Sequence, residues 1–357
     1  MEDNAAWTRF LRWFAGTAVG LSAVVALFIA LADPYSDVPF SPGGQRPMLE
    51  GNQRYVFPGL VRWGDFDSAI LGNSTIRLLE PARLNSPFGA RFAQLGMFGA
   101  TAWEQAQMAR LFLRHHPHPT VMVFGIDGMW CGVGAPAPRR AAQSFPDWMY
   151  DDNPWNDLPH LFNGKTLEVA GRVVGQWIRP KAGRERHGRD GYMNFLPPAT
   201  EYDLARARQH IYGSESPRPV VGQDPPAASA VEMRNWAMPE VMMLETLIGE
   251  IPQETRLLFV FVPYHAYLQG GPGSRQRLQS NECKRRVAAL ASRRQRAMVL
   301  DFMIPSAITE DDRNYWDASH YTVETAARLA DLLVVSARDG RSPDPALVQV
   351  PTAGAAP

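Results

Sequence analysis

The sequence predicts an α/β protein with a mostly parallel five-stranded sheet, preceded by one N-terminal apolar helix. Three observations lead there. Short β-favouring runs alternate with helix-period segments over 67–130 and again from about 238. The strongest of these runs are apolar at nearly every position, as strands covered on both faces must be. Ahead of them all lies Phe14–Ala32, a stretch of 19 residues without a charge.

The N-terminal stretch comes first in the chain. At 1.5 Å rise per residue it reaches about 28 Å, the thickness of a hydrocarbon core. Arg9 and Arg12 precede it, and Asp33 and Asp37 follow. The positive-inside rule then places residues 1–13 in the cytoplasm and the rest outside, with 14–32 as a transmembrane anchor. A cleaved signal peptide competes, since Ala30-Leu31-Ala32 has the form of an A-x-A site. Residues 33–66, with Pro34, Pro39, Pro42, Gly43 and Gly44, read as a linker.

Strands are predicted at about 67–73, 91–97, 120–127, 256–263 and 297–302. Between the second and third, Thr101 with Glu104 forms a capping box for a helix over 101–115. Strand, helix and strand with short connections is the βαβ pattern of a parallel sheet. Residues 132–235 interrupt it as a proline-rich insertion with helical pieces near 165–178 and 201–212, a candidate lid or partner surface. Its basic run, Arg179 to His187, reads as a solvated loop. Further helices are expected at 239–249, 275–294 and 322–337. After Asp339 the Pro/Ala/Gly-rich tail, 339–357, reads as disordered.

Composition limits the function. The 357 residues carry 36 Lys and Arg against 36 Asp and Glu, so no broad nucleic-acid-binding surface is expected. The two cysteines, Cys131 and Cys283, form no CxxC pair, which argues against structural zinc and leaves one disulfide open in an oxidising compartment. His115, His116 and His118 sit at a Pro-broken helix end without nearby carboxylates and read as solvated. No metal or cofactor is expected.

Two stretches carry chemistry. In Ile70-Leu71-Gly72-Asn73-Ser74-Thr75 an apolar strand ends in a tight turn at a helix start. A serine there meets free backbone N–H groups that favour developing negative charge. Asn73-Ser74-Thr75 also has the form of a glycosylation acceptor, which the strand-end setting disfavours. Far along the chain, Asp317 and His320 stand three apart before the last helix. That spacing lets the carboxylate hold the imidazole in one tautomer and leaves its other nitrogen as a base. His265, just after the fourth strand, is a candidate substrate contact.

Four blocks in order give the chain a resemblance to the SGNH/GDSL hydrolase superfamily. Gly72-Asn73-Ser74 resembles the nucleophile block and Gly96 through Gly99 the glycine block. Gly125-Ile126-Asp127 resembles the block usually written Gly-x-Asn-Asp, and Asp317-Ala318-Ser319-His320 the Asp-x-x-His block. The blocks frame about 67–130 and 255–337. The resemblance implies a flavodoxin-like three-layer sandwich over 67–338. It implies Ser74 as nucleophile, His320 as base and Asp317 as its orienter. It also implies an oxyanion hole from the N–H groups of Ser74 and Gly99, or Gly96. Where that hole's Asn is usual, Asp127 stands, and an ionised carboxylate cannot donate a hydrogen bond. Losing one such donor costs about 2.7–4 kcal/mol of transition-state stabilisation.

With an outward-facing domain on one helix, the chain is similar to envelope proteins that move or remove O-acyl groups. The D-alanyl transfer protein of teichoic acids and the alginate acetylation proteins are of this kind. The likeness implies a serine esterase or O-acyltransferase on an envelope polysaccharide in the periplasm, anchored in the bacterial inner membrane. A multi-spanning membrane acyltransferase would be its partner. The alternative is a non-catalytic glycan-binding or assembly subunit, with Asp127 marking a lost oxyanion hole.

Overall fold

The computed structural model describes residues 2–40, 44–180 and 187–351. The chain runs α1 (Glu2–Ala32), α2 (Gln53–Trp63), β1 (Ser68–Leu71), α3 (Pro81–Phe88), β2 (Phe92–Gln94), α4 (Ala102–His115) and β3 (Val121–Ile126). Then come α5 (Leu158–Leu161), α6 (Gly164–Ile178), α7 (Leu204–Tyr212), α8 (Ala230–Arg234), α9 (Pro239–Glu250), β4 (Arg256–Phe261), α10 (Arg275–Ala291), β5 (Ala297–Asp301) and α11 (Val323–Asp339). These fall into two compact units: Met1–Gly64 with Pro146–Arg189, and Asp65–Phe145 with Asp190–Pro357.

The second unit is α/β. Its five strands are all parallel, in the order β2-β1-β3-β4-β5. Side chains alternate across the sheet. Ile70, Val123, Leu258, Val260 and Leu300 join Leu84 of α3 and Ala326, Leu329 and Leu333 of α11 in one buried cluster. Ala69, Leu71, Met122, Phe124, Leu257 and Phe259, at the intervening positions, are also buried. Helices α3 and α11 pack together, as do α4 with α9 and α9 with α10. The capping box expected at α4 is present, with Thr101 accepting from the Glu104 N–H and Glu104 from the Thr101 N–H. Cys131 and Cys283 form a disulfide between the loop after β3 and α10.

The first unit is helical. Helix α1 is long and apolar enough over Ala5–Ala32 to cross a membrane, and nearly all of its apolar window is exposed. Only its last turns pack inward, through Ile29 and Ala32, where α6 lies against it.

Three boundaries depart from expectation. The stretch 33–66 is not a plain linker. Val56, Phe57, Leu60 and Val61 form a buried stripe on α2 despite Pro58 inside the helix. Gly59 lies so close to the chain leaving α1 that a Cβ would stand 2.1 Å from the Tyr35 carbonyl. The stretch 132–235 is not one insertion, since 146–189 belong to the helical unit and 190–235 to the α/β unit. The tail is ordered well past Asp339. Leu347 and Val348 are buried, and Gln349 exchanges two backbone hydrogen bonds with Asp301 at 2.8 and 2.9 Å. Two apolar residues in a Pro-rich context suffice to pin it. Within the basic run, His187 is buried with its ring 5.5 Å from Phe57. Residues 181–186 lie outside the described residues, as do 352–357.

Candidate active site

In this strand order the chain reverses direction across the sheet between β1 and β3, and the crevice at the carboxyl ends of such strands is where ligands bind in open parallel sheets. Ser74 follows β1 there. The turn that carries it depends on two glycines. Ile76 drives into the space between them, so a Cβ on Gly72 would stand 2.7 Å from its Cγ2 and one on Gly125 of β3 2.9 Å from its Cβ. Gly72 also has φ 155°, open to glycine and strained for other residues. Asn73 then caps the short 3-10 turn Ser74–Ile76, its Oδ1 accepting from the Thr75 N–H at 2.9 Å.

The loop before α11 supplies the partners. The Trp316 N–H donates to the His320 carbonyl at 2.9 Å, and Tyr315 pairs with Tyr321 across the loop. Inside it, Asp317 Oδ1 accepts from the N–H groups of Ser319 at 2.8 Å and His320 at 2.9 Å. Asp317 Oδ2 lies 2.7 Å from His320 Nδ1, and His320 Nε2 lies 2.9 Å from Ser74 Oγ. The carboxylate only accepts, so Nδ1 carries the proton and Nε2 is free to receive that of Ser74. Burial would raise the Asp317 carboxyl, but the imidazole and the Ser319 groups overcome it and hold it at about 2.

The serine and histidine open on a cleft of about 540 Å³ within the α/β unit. Phe98, Phe195 and Trp316 supply apolar wall, and Phe195 meets the His320 ring edge-on at 5.6 Å. Asp203, Arg206 and His210 from α7 and its N-cap add both signs of charge. Gly99 lines the same cleft with φ 57°, and among the described residues no partner accepts from its N–H or from that of Ser74. The Gly96 N–H is already given to Gln94 Oε1 at 3.0 Å. Of the two glycine donors considered, the geometry therefore offers Gly99.

Asp127 and His265 are not in this cleft. Asp127 is buried behind the turn. Its carboxylate accepts from Asn73 Nδ2 and from the Met129 N–H at 2.9 Å, and Thr75 and Tyr264 also bond to it. Burial raises its pKa, and these four hydrogen bonds pull it back. It lines a separate small cavity with Tyr264 and Cys131. His265 is 2 % exposed, its Nδ1 accepting from the Tyr267 N–H and its Nε2 3.1 Å from Asp312. Burial lowers its pKa, only partly offset by Asp312. It touches the site through its backbone, whose N–H donates to the Ala318 carbonyl at 2.9 Å.

The supporting residues escaped sequence reasoning. Arg77, fully buried, bonds the Gly96 carbonyl and lies 4.9 Å over the Phe98 ring, which fixes the loop presenting Gly99. Burial lowers its guanidinium to about 10. Gln94 Nε2 donates to the Leu79 carbonyl at 2.9 Å, and the Tyr321 hydroxyl to the Thr75 carbonyl at 2.6 Å. One signal was present: Gln94 is a polar residue at the end of a short apolar strand, and Arg77 interrupts an apolar run. Helix α7 falls on the helical piece expected near 201–212, but nothing in the sequence marked its cleft-lining residues or Phe195.

No protein-family model matches this chain, and no curated protein does.

Proposed function

We propose that the protein is a membrane-anchored SGNH-like serine esterase or O-acyltransferase, acting on O-acyl groups of a cell-envelope polysaccharide through an acyl-Ser74 intermediate. The observation that carries this reading is the hydrogen-bonded series Asp317–His320–Ser74, opening on a cleft that the Gly99 backbone also lines. Ser74 Oγ attacks the acyl carbonyl as His320 Nε2 takes its proton, and Asp317 stabilises the imidazolium. The oxyanion gathers the Ser74 and Gly99 N–H groups. His320 then returns the proton to the departing sugar oxygen, leaving the acyl ester on Ser74. Water or an acceptor hydroxyl reverses the sequence.

The five parallel strands and their helices fit the three-layer SGNH sandwich. Arg9 and Arg12 before α1 favour a single span with the remaining chain in the periplasm of a bacterial cell. The disulfide suits that oxidising compartment. A multi-spanning acyltransferase delivering the acyl group would make the reaction a transfer. Asp127 lies outside the cleft lining, so no carboxylate at that position repels the oxyanion, and two backbone donors carry the hole in this reading.

The test is a burst experiment on the detergent-solubilised full chain with p-nitrophenyl acetate. The reading expects acid-quenched wild type to carry one acetyl group on the peptide containing Ser74, and Ser74→Ala to carry none. Nitrophenolate release no faster from wild type than from Ser74→Ala, with no adduct, would refute it.

A further inference from the structure

The helical unit has exposed apolar surface that the acyl chemistry leaves unused. On α6 the side chains separate into three faces at helical spacing. Thr166, Val169, Ala170 and Val173 are buried. Lys165, Glu168 and Arg172 form an exposed polar face. Between the two, Leu167, Gly171, Val174 and Ile178 align at spacings of three and four. Leu167 is 37 % exposed and Ile178 72 %, with Trp177 beside it at 46 %. A soluble helix of this size has no reason to keep a second apolar face in water.

Its position says what covers that face. Helix α6 packs against α1, whose buried side chains, Ile29 and Ala32, lie in its last turns. Near its start, Thr166 bonds Tyr35, three residues past α1. Near its end, Trp177 lies 5.5 Å beneath the guanidinium of Arg46, whose backbone N–H donates to Ser36. Both ends of α6 are thus tied to the chain leaving the candidate span. Half-exposed Phe162 precedes the helix N-cap, and Trp63, 45 % exposed, reaches back to the Ser36 carbonyl at 3.0 Å. Tryptophans with flanking cations at the end of an apolar span are the composition of a membrane–water interface.

We propose that α6 is an in-plane membrane helix that beds its Leu167–Val174–Ile178 face in the outer boundary of the bilayer spanned by α1. This rests on the reading of α1 as an uncleaved anchor. The helical unit then sits on the lipid surface instead of swinging free on a tether.

The described residues hold no free cysteine, so single thiols report cleanly. Leu21→Cys on α1 and Leu167→Cys, Glu168→Cys and Ile178→Cys on α6 would each be labelled with bimane in the full chain. The labelled proteins would be reconstituted into phosphatidylethanolamine–phosphatidylglycerol vesicles containing lipid with a nitroxide near the headgroup or deep in the tail. The proposal expects blue-shifted emission at 167 and 178, quenched by the shallow nitroxide, water-like emission at 168, and quenching at 21. Water-like emission at 167 and 178 with quenching retained at 21 would overturn the proposal and leave the anchor intact. Equal quenching at 167 and 168 would also overturn it, since the helix would be immersed without a preferred face. A water-like signal at 21 would bring down the anchor and the proposal together.

Discussion

Asp127 is the residue on which sequence and structure differ most in meaning. By resemblance it stands where an oxyanion donor belongs. In the folded chain it accepts hydrogen bonds from Asn73, Thr75, Met129 and Tyr264, and so clamps the turn that holds Ser74. Asn73 and Asp127 fit each other as donor and acceptor. An amide at 127 would set NH₂ against some of those donors and leave a buried group unsatisfied, a loss of about 1–3 kcal/mol. Asp127→Asn is therefore expected to lower the thermal midpoint and slow acylation of Ser74. Were Asp127 a defect in the oxyanion hole, the same substitution would speed acylation, and burst kinetics beside a melting curve separate the two.

At the scale of elements, the Ser74 turn is set by how Ile76 packs against Gly72 and Gly125. Gly125→Ala puts a methyl group 2.9 Å from two Ile76 carbons, and overpacking of this kind costs about 1–3 kcal/mol. The expected result is a lower denaturation midpoint together with weaker labelling of Ser74, because the displaced residue is two positions from it. A midpoint equal to wild type would show that the packing is looser than described. In the helical unit, Asp157 is buried with neither oxygen hydrogen-bonded among the described residues, and Arg62 stands 4.0 Å away. Burial raises its pKa to about 6, with Arg62 opposing. The native state therefore holds this proton more tightly than the unfolded chain, whose Asp titrates near ~3.9. Stability is lost as pH rises from there through about 6. Asp157→Asn should remove that slope, so its melting temperature relative to wild type should climb between about pH 4 and pH 7. A pH-independent difference would contradict this.

Across the whole molecule, the α/β class was legible because the longer strands, β3 and β4 above all, are nearly continuous apolar runs alternating with helix-period segments. The Ser74 turn and the Asp317–His320 loop were legible because each is local. What local pattern could not supply was distance. Ser74 and His320 are 246 residues apart, and only the parallel order β2-β1-β3-β4-β5 explains how β1 and the loop before α11 reach one edge. Cys131 and Cys283, separated by 152 residues, stood as a possible pair without geometry to decide it. The helical unit was missed for the same reason. Its halves, 1–64 and 146–189, are separated by the first three strands, and Pro58 disguised the apolar period of α2. A helix near 201–212 was legible and stands as α7, but nothing local placed its Asp203, Arg206 and His210, or Phe195, on the wall of the Ser74 cleft.

The central claim is that Asp317 and His320 activate Ser74. Labelling the full-length protein with a fluorophosphonate tests it most directly, with wild type beside Ser74→Ala and His320→Ala. The account predicts strong labelling of wild type, none of Ser74→Ala, and a loss on the order of 10²–10⁴-fold in rate for His320→Ala, the usual contribution of a positioned base. A folded wild type that resists the reagent, or labelling that survives in Ser74→Ala, would contradict it.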